Sequence, residues 1–149
     1  MSWTIVLHGG AGQMTRASVT PSQAEGAREA LGRALDAAAA ILQGGGVAID
    51  AVEAAVRVLE DDPHFNSGRG AALTYEGIAE LDAAIMDGRD RNAGAVAGVI
   101  AEVTALGGSG GIIATGPQGD AVWHFTTPGM YRARLTSGGG REIAVFGDE

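Results

Sequence analysis

Ala24, Ala27, Leu31, Ala34, Leu35, Ala38, Ile41 and Leu42 recur at helical spacing, and this stripe constrains the fold more than any other feature. Thr20-Pro21-Ser22-Gln23 precedes it. Thr20 can cap the helix, Pro21 suits its first position, and Gln23 can reach back as in a capping box. Gly44-Gly45-Gly46 ends it. A face made largely of alanine lets neighbouring elements approach closely. The chain needs such contacts, because only seven of its 149 residues are aromatic. Its core must be built from Ala, Val, Ile and Leu.

A second helix is expected from about Val47 to Glu60, with Ile49, Val52, Val56 and Leu59 as its buried stripe and Pro63 as its stop. Before the helices, residues 3–7 read as a buried strand stopped by a His-Gly-Gly turn. Residues 78–86 alternate, with Ala79, Leu81, Ala83 and Ile85 on one face and Glu80 and Asp82 on the other. Residues 88–92 read as a turn and 94–99 as a short strand. The stretch 100–106 is either the last turns of a helix or a poor strand. Residues 110–115, 121–125, 130–135 and 142–146 read as two pairs of strands joined through glycine-rich turns. The order is strand, two helices, then strands. This is not a βαβ alternation, so an α+β fold of mixed sheets with helices on one outer face is expected.

Composition narrows the function. A net charge of −8 argues against a nucleic-acid binder and against anionic membrane surfaces. No cysteine is present, so disulfides, thiolate metal sites and a cysteine nucleophile are excluded, and a reducing cytoplasm is compatible. The first residues lack the pattern of a secretory leader, and no apolar run reaches the ~18 residues of a membrane span.

Four segments carry candidate chemistry. His8-Gly9-Gly10-Ala11-Gly12 follows a buried strand, and glycines there expose backbone N–H groups. The segment is either an anion or oxyanion loop or a tight turn between packed elements. Asp61 and Asp62 end a helix and lead into Asn66-Ser67-Gly68-Arg69-Gly70. Two acids at a helix C-terminus oppose its dipole. Either a cation bound by loop carbonyls relieves them or the loop is simply solvated. Glu80, Asp82 and Asp87 are either acid/base or metal-binding carboxylates or a polar strand face. Gly107-Gly108-Ser109-Gly110-Gly111 fits the G-x-S-x-G elbow formally, but the elbow needs a strand before the serine and a helix after it. Here a strand, Ile112-Ile113-Ala114, follows, so a Gly/Ser turn is the better account.

Taken together, the HGGAG run, Leu59-Glu60-Asp61-Asp62-Pro63-His64-Phe65-Asn66-Ser67-Gly68-Arg69-Gly70 and Glu80-Leu81-Asp82-Ala83-Ala84-Ile85-Met86-Asp87-Gly88 closely resemble the start of the plant-type L-asparaginases. These are also called isoaspartyl peptidases and belong to the N-terminal-nucleophile hydrolases. Residues 1–99 resemble the start of that family's α-subunit. Residues 100–149 resemble the end of its β-subunit, through Gly110-Gly111-Ile112-Ile113-Ala114, Thr127-Pro128-Gly129-Met130-Tyr131-Arg132 and Phe146-Gly147-Asp148-Glu149. The whole reads as one domain. The resemblance implies a four-layer αββα sandwich, incomplete in this chain. It implies hydrolysis of L-asparagine to L-aspartate and ammonia, or of β-aspartyl peptides, by a threonine that self-cleavage releases at a new N-terminus. Asn66, His8, Gly9 and Gly10 would lie beside that threonine. The carbonyls of Leu59, Glu60, Asp62 and Phe65 would hold a structural sodium ion, with no other cofactor. The implied partners are a small-molecule substrate and a second copy, in the cytoplasm.

The middle of the family pattern is missing. Val99 runs directly into Ile100-Ala101-Glu102-Val103, where relatives insert roughly half their length, and no Gly-Thr dipeptide occurs anywhere. No nucleophile can therefore be named. The alternative is a catalytically inactive member that acts only as a structural or association domain.

Overall fold

The computed structural model describes residues 2–81, 83, 103–116 and 118–149. β1 (Thr4–Gly12) is followed by α1 (Pro21–Gln43) and α2 (Ala48–Asp61). Then come β2 (Gly111–Thr115), β3 (Ala121–Phe125), β4 (Gly129–Thr136) and β5 (Arg141–Phe146). One antiparallel sheet has the order β1-β4-β5, and β2-β3 is a separate antiparallel pair. Helices and sheets are thus both present, and every strand pair among the described residues is antiparallel rather than mixed. Short turns link β2 to β3 and β4 to β5, and a tight turn can only reverse the chain. Thr4 pairs with Thr136 and His8 with Arg132, so the last strands of the chain complete the sheet begun by the first.

α1 starts as its sequence dictates. The Thr20 hydroxyl accepts from the Gln23 N–H, and the Gln23 side chain accepts from the Thr20 N–H at 2.9 Å. The helix ends at Gly44, whose N–H reaches back to the Ala40 carbonyl. Ala24, Ala27, Leu31, Ala34, Leu35 and Ala38 are buried as expected, and so are Ala30, Gly32 and Ala39. The buried arc is wider than one stripe because α1 is covered twice. α2 lies along one side, and β1, β4 and β5 lie under another. Its glycines are seats for side chains from other elements. The His64 ring occupies the space a side chain would need at Gly26, and Arg141 donates to the Gly32 carbonyl at 3.2 Å.

α2 corrects one expectation. Ala51, Ala55 and Leu59 are its buried residues, whereas Val52 and Val56 are 43% and 39% exposed. The alanine face won because only small side chains allow close approach to the alanine face of α1. The larger valines, one position round, are left pointing away.

The first strand also differs from expectation. It does not stop at His8 but continues to Gly12, with a bulge between His8 and Gly10. Glycines in a strand accommodate a bulge as readily as a turn. Over the described part of 78–86 there is no strand, only a single bridge between Leu73 and Ala79 around the turn at Gly77. Ile78 and Leu81 are exposed there, since no described strand lies beside them. Residues 103–105 form a helical turn. The readings at 88–92 and 94–99 lie outside the described residues, as does the junction at 99–100.

The β2-β3 pair covers the face of the main sheet opposite α1. Between them sits Arg132, which is buried. Its guanidinium lies 5.1 Å from the Phe125 ring centre and 5.5 Å from that of Trp123. It donates to the Phe146 carbonyl at 3.1 Å and the Glu149 carbonyl at 2.6 Å, tying down the last residues. Glu149 is held in turn by the N–H groups of Val145 and Phe146 and by Arg28. No helix among the described residues is long and apolar enough to cross a membrane.

The close approach of α2 to α1 has a measurable consequence. Ala55→Leu inserts three carbons into a fully buried contact and should cost about 1–3 kcal/mol by urea unfolding, through overpacking. Val56→Leu, on the exposed side, should change stability by less than about 0.5 kcal/mol.

Candidate functional site

The bulge of β1 and the loop after α2 meet. Phe65 is fully buried and stands edge-on to Tyr131, with ring centres 5.5 Å apart and planes at 83°. Its ring lies so close to Gly9 that a side chain there would fall inside it. Gly9 is therefore required by packing against Phe65. Gly10 is required by conformation, because its φ is +116°. The Asn66 carboxamide oxygen lies 3.6 Å from the position a Gly10 Cβ would take. The structure thus brings Gly9, Gly10 and Asn66 together, with the exposed Asn66 side chain beside the bulge.

His8 points to the opposite face from Leu7 and accepts the Gly10 N–H on Nδ1 at 3.3 Å. Burial lowers its pKa below the ordinary histidine value. The ring is neutral near pH 7, with its proton on Nε2. His8 therefore shapes the bulge by satisfying a backbone donor. The segment is neither an open turn nor a free row of N–H groups, since Gly10 spends its N–H on His8.

The loop after α2 has its own logic. Asp62 is 8% exposed. Its carboxylate accepts from the His64 N–H at 2.9 Å and pairs with the His64 ring nitrogen and with Arg33, each at 2.7 Å. Burial acts to raise its pKa, but the His64 donors and the Arg33 charge outweigh that and hold it below the usual carboxylate value. The strain of an acid at a helix C-terminus is relieved here by arginine and histidine. Asp61 stays exposed, 3.5 Å from Arg69.

The carbonyls expected to form a cation loop crowd the same turn. Leu59, Glu60 and Asp62 each accept a backbone hydrogen bond, from Asp62, Arg69 and Phe65 respectively. Gly68 packs against the Glu60 carbonyl and Gly70 against those of Pro63 and Phe65, with no room for a side chain at either. Among the described residues no cluster of three or more His, Asp or Glu side chains is placed to hold a metal. Any cation here would rest on backbone oxygens.

Other candidates are not brought in. Glu80 is exposed, while Asp82 and Asp87 lie outside the described residues. Ser109 sits in an exposed segment before β2 with no helix after it, so the elbow geometry is absent. The Arg33–Asp62–His64 cluster and the interlayer Arg132 were not expected from sequence. Their partners lie far off in the chain or depend on the loop conformation.

The gathered residues offer an amide, a neutral imidazole and shaped backbone, but no nucleophile. They can position a polar group; they do not by themselves cleave a bond. Asp62→Asn should cost about 1–3 kcal/mol at pH 7, because it breaks charge-assisted bonds in a buried setting. Since the folded pKa lies below the unfolded one, the stabilisation is present above the unfolded value and is lost as pH falls through the folded value. Urea unfolding at pH 7 and pH 3 should therefore show a smaller gap between the two proteins at pH 3.

A family described as Asparaginase matches residues 1–103. The isoaspartyl peptidase/L-asparaginase of Mus musculus is 46% identical over 99 residues, which is 66% of this chain and 29% of that protein. The plant-type L-asparaginase of Pyrococcus furiosus is 48% identical over 100 residues, 64% of this chain and 29% of its own. The probable isoaspartyl peptidase/L-asparaginase 2 of Arabidopsis thaliana is 45% identical over 97 residues, 65% and 29%. The chain thus spans under a third of the length of these relatives. The matched stretch contains the bulge, both helices and the Phe65-Asn66 loop, and on this match the chain belongs to the asparaginase family.

Proposed function

We propose that this chain supplies the scaffold of an amidohydrolase that cleaves L-asparagine or β-aspartyl peptides. The observation that carries this reading is the seating of Asn66 beside the Gly9-Gly10 bulge, within the stretch shared with proteins named isoaspartyl peptidase/L-asparaginase. Asn66 offers one acceptor and two donors at the edge of a rigid strand, suited to orienting a polar substrate group or the nucleophile.

The nucleophile in this reading is a threonine released at a new N-terminus by self-cleavage. Its α-amine takes the hydroxyl proton as the oxygen attacks the side-chain amide carbon. Collapse of the tetrahedral intermediate expels ammonia, or the peptide amine, and leaves an acyl-enzyme that water hydrolyses. That threonine belongs to a segment outside these 149 residues. The described layers are one of helices, a three-stranded sheet and a strand pair. They form part of a four-layer αββα sandwich in this proposal. A sodium ion held by the carbonyls of Leu59, Glu60, Asp62 and Phe65 would brace the loop that carries Asn66, taking no part in bond cleavage. The tight cradle at Gly68 and Gly70 fits such a role. Assembly with a second copy and a cytoplasmic setting complete the proposal.

Intact mass and ammonia release from L-asparagine, measured on protein purified from its native source, test it. Two fragments, or a mass well above 15.0 kDa, with a threonine at the start of one fragment and ammonia release, are expected. A single 15.0 kDa species that releases no ammonia overturns it, in favour of a scaffold without chemistry.

A further inference from the structure

Asn66 is followed by the small residues Ser67 and Gly68, in a loop held at two points. Phe65 is fully buried on one side, and on the other the Arg69 N–H donates to the Glu60 carbonyl at 2.8 Å. Between these anchors Asn66 and Ser67 are both exposed. Among the described residues neither the Asn66 carboxamide nor the Ser67 N–H makes a hydrogen bond. The carboxamide stands beside Gly10 without bonding it, because the Gly10 N–H is given to His8.

An asparagine side-chain carbon and the next backbone nitrogen can always close a five-membered ring, and their reaction gains from that proximity. A fold ordinarily blocks it by hydrogen-bonding the nitrogen, by hydrogen-bonding the carboxamide, or by crowding the nitrogen with a large following side chain. Among the described residues none of these blocks operates at Asn66. Both reacting groups are unbonded, and Ser67 is small and points to solvent.

We infer that Asn66 is a self-modification site, which deamidates through a cyclic imide with Ser67 to give aspartate and isoaspartate at position 66. The Ser67 backbone nitrogen loses its proton to solvent base and bonds to Cγ of Asn66. The Cγ–Nδ2 bond then breaks, and Nδ2 leaves as ammonia after taking up a proton. Water opens the ring at either carbonyl. Breaking the bond from the ring nitrogen to Cγ gives aspartate. Breaking its bond to the main-chain carbonyl carbon gives isoaspartate. The net change is one water consumed and one ammonia released, with no oxidant or cofactor. Either product replaces the amide donors beside Gly10 with a carboxylate, which only accepts. Isoaspartate also inserts a methylene into the main chain between the anchors at Phe65 and Arg69. The modification itself is independent of the amidohydrolase reading. Its effect on function, the loss of the group that orients substrate or nucleophile, rests on that reading.

The test holds the purified protein at pH 7 and pH 9 over days, beside a free peptide with the sequence of residues 63–70. Peptide mapping by mass spectrometry separates position 66 from Asn92, the other asparagine of the chain. Methyl transfer by a protein-isoaspartate methyltransferase reports isoaspartate. Both products are expected at position 66, at a rate in the folded protein within about tenfold of the free peptide. Conversion should be at least about tenfold faster at pH 9 than at pH 7, because the attacking nitrogen must lose its proton. Ser67→Ile changes an exposed side chain, so thermal unfolding should be unchanged. Its branched side chain crowds the nitrogen and should slow conversion at least about tenfold. No conversion at position 66 in the folded protein overturns the proposal, whatever the peptide does. So does aspartate without isoaspartate, or conversion indifferent to Ser67→Ile, since either means direct hydrolysis of the carboxamide with no ring. None of these readouts depends on hydrolytic activity of the protein.

Discussion

Everything in this chain leans on the small side chains of α1. Ala27, Ala30, Ala34 and Ala38 are fully buried, and they let α2 approach on one side while β1, β4 and β5 approach on another. An alanine contributes little transfer free energy of its own. Its value lies in the short distance it permits, at which Leu31, Leu35 and the strand side chains Ile5, Leu7 and Ala133 meet in one cluster. With so few aromatic residues, close backbone approach is how this core reaches native packing density. Phe65 adds a large, fully buried ring to that cluster, fixed between Gly9 and Tyr131.

That packing sets the candidate site. Phe65 is anchored under the strand bulge, so its neighbour Asn66 is placed beside Gly10. The loop that carries them is pinned at its start by Asp62, through His64 and Arg33. Arg33 belongs to α1, and the His64 ring fills the space that Gly26 of α1 leaves. The polar geometry of the site is therefore transmitted from the same helix that organises the core.

The limits of sequence reading here have identifiable causes. The capping box of α1, the ends of both helices and the four later strands were legible because local chemistry alone decides them. The glycine run after Leu7 was not, since glycine permits a bulge as well as a turn, and pairing with β4 chose the bulge. The buried face of α2 was misjudged because hydrophobicity favours Val52 and Val56. Proximity to α1 instead selected Ala51 and Ala55. The alternation at 78–86 has no described strand to pair with, so a good pattern produced no strand over its described part.

By itself the sequence determined where the two helices start and stop, that the four later segments are extended, and which family motifs are present. Only the tertiary structure decided which helix face is buried, that the chain's last strands pair with its first, and that Asn66 meets Gly10. The division follows from range. Capping and turn formation involve residues a few positions apart, whereas pairing Thr4 with Thr136, or seating His64 against Gly26, depends on distant segments arriving together.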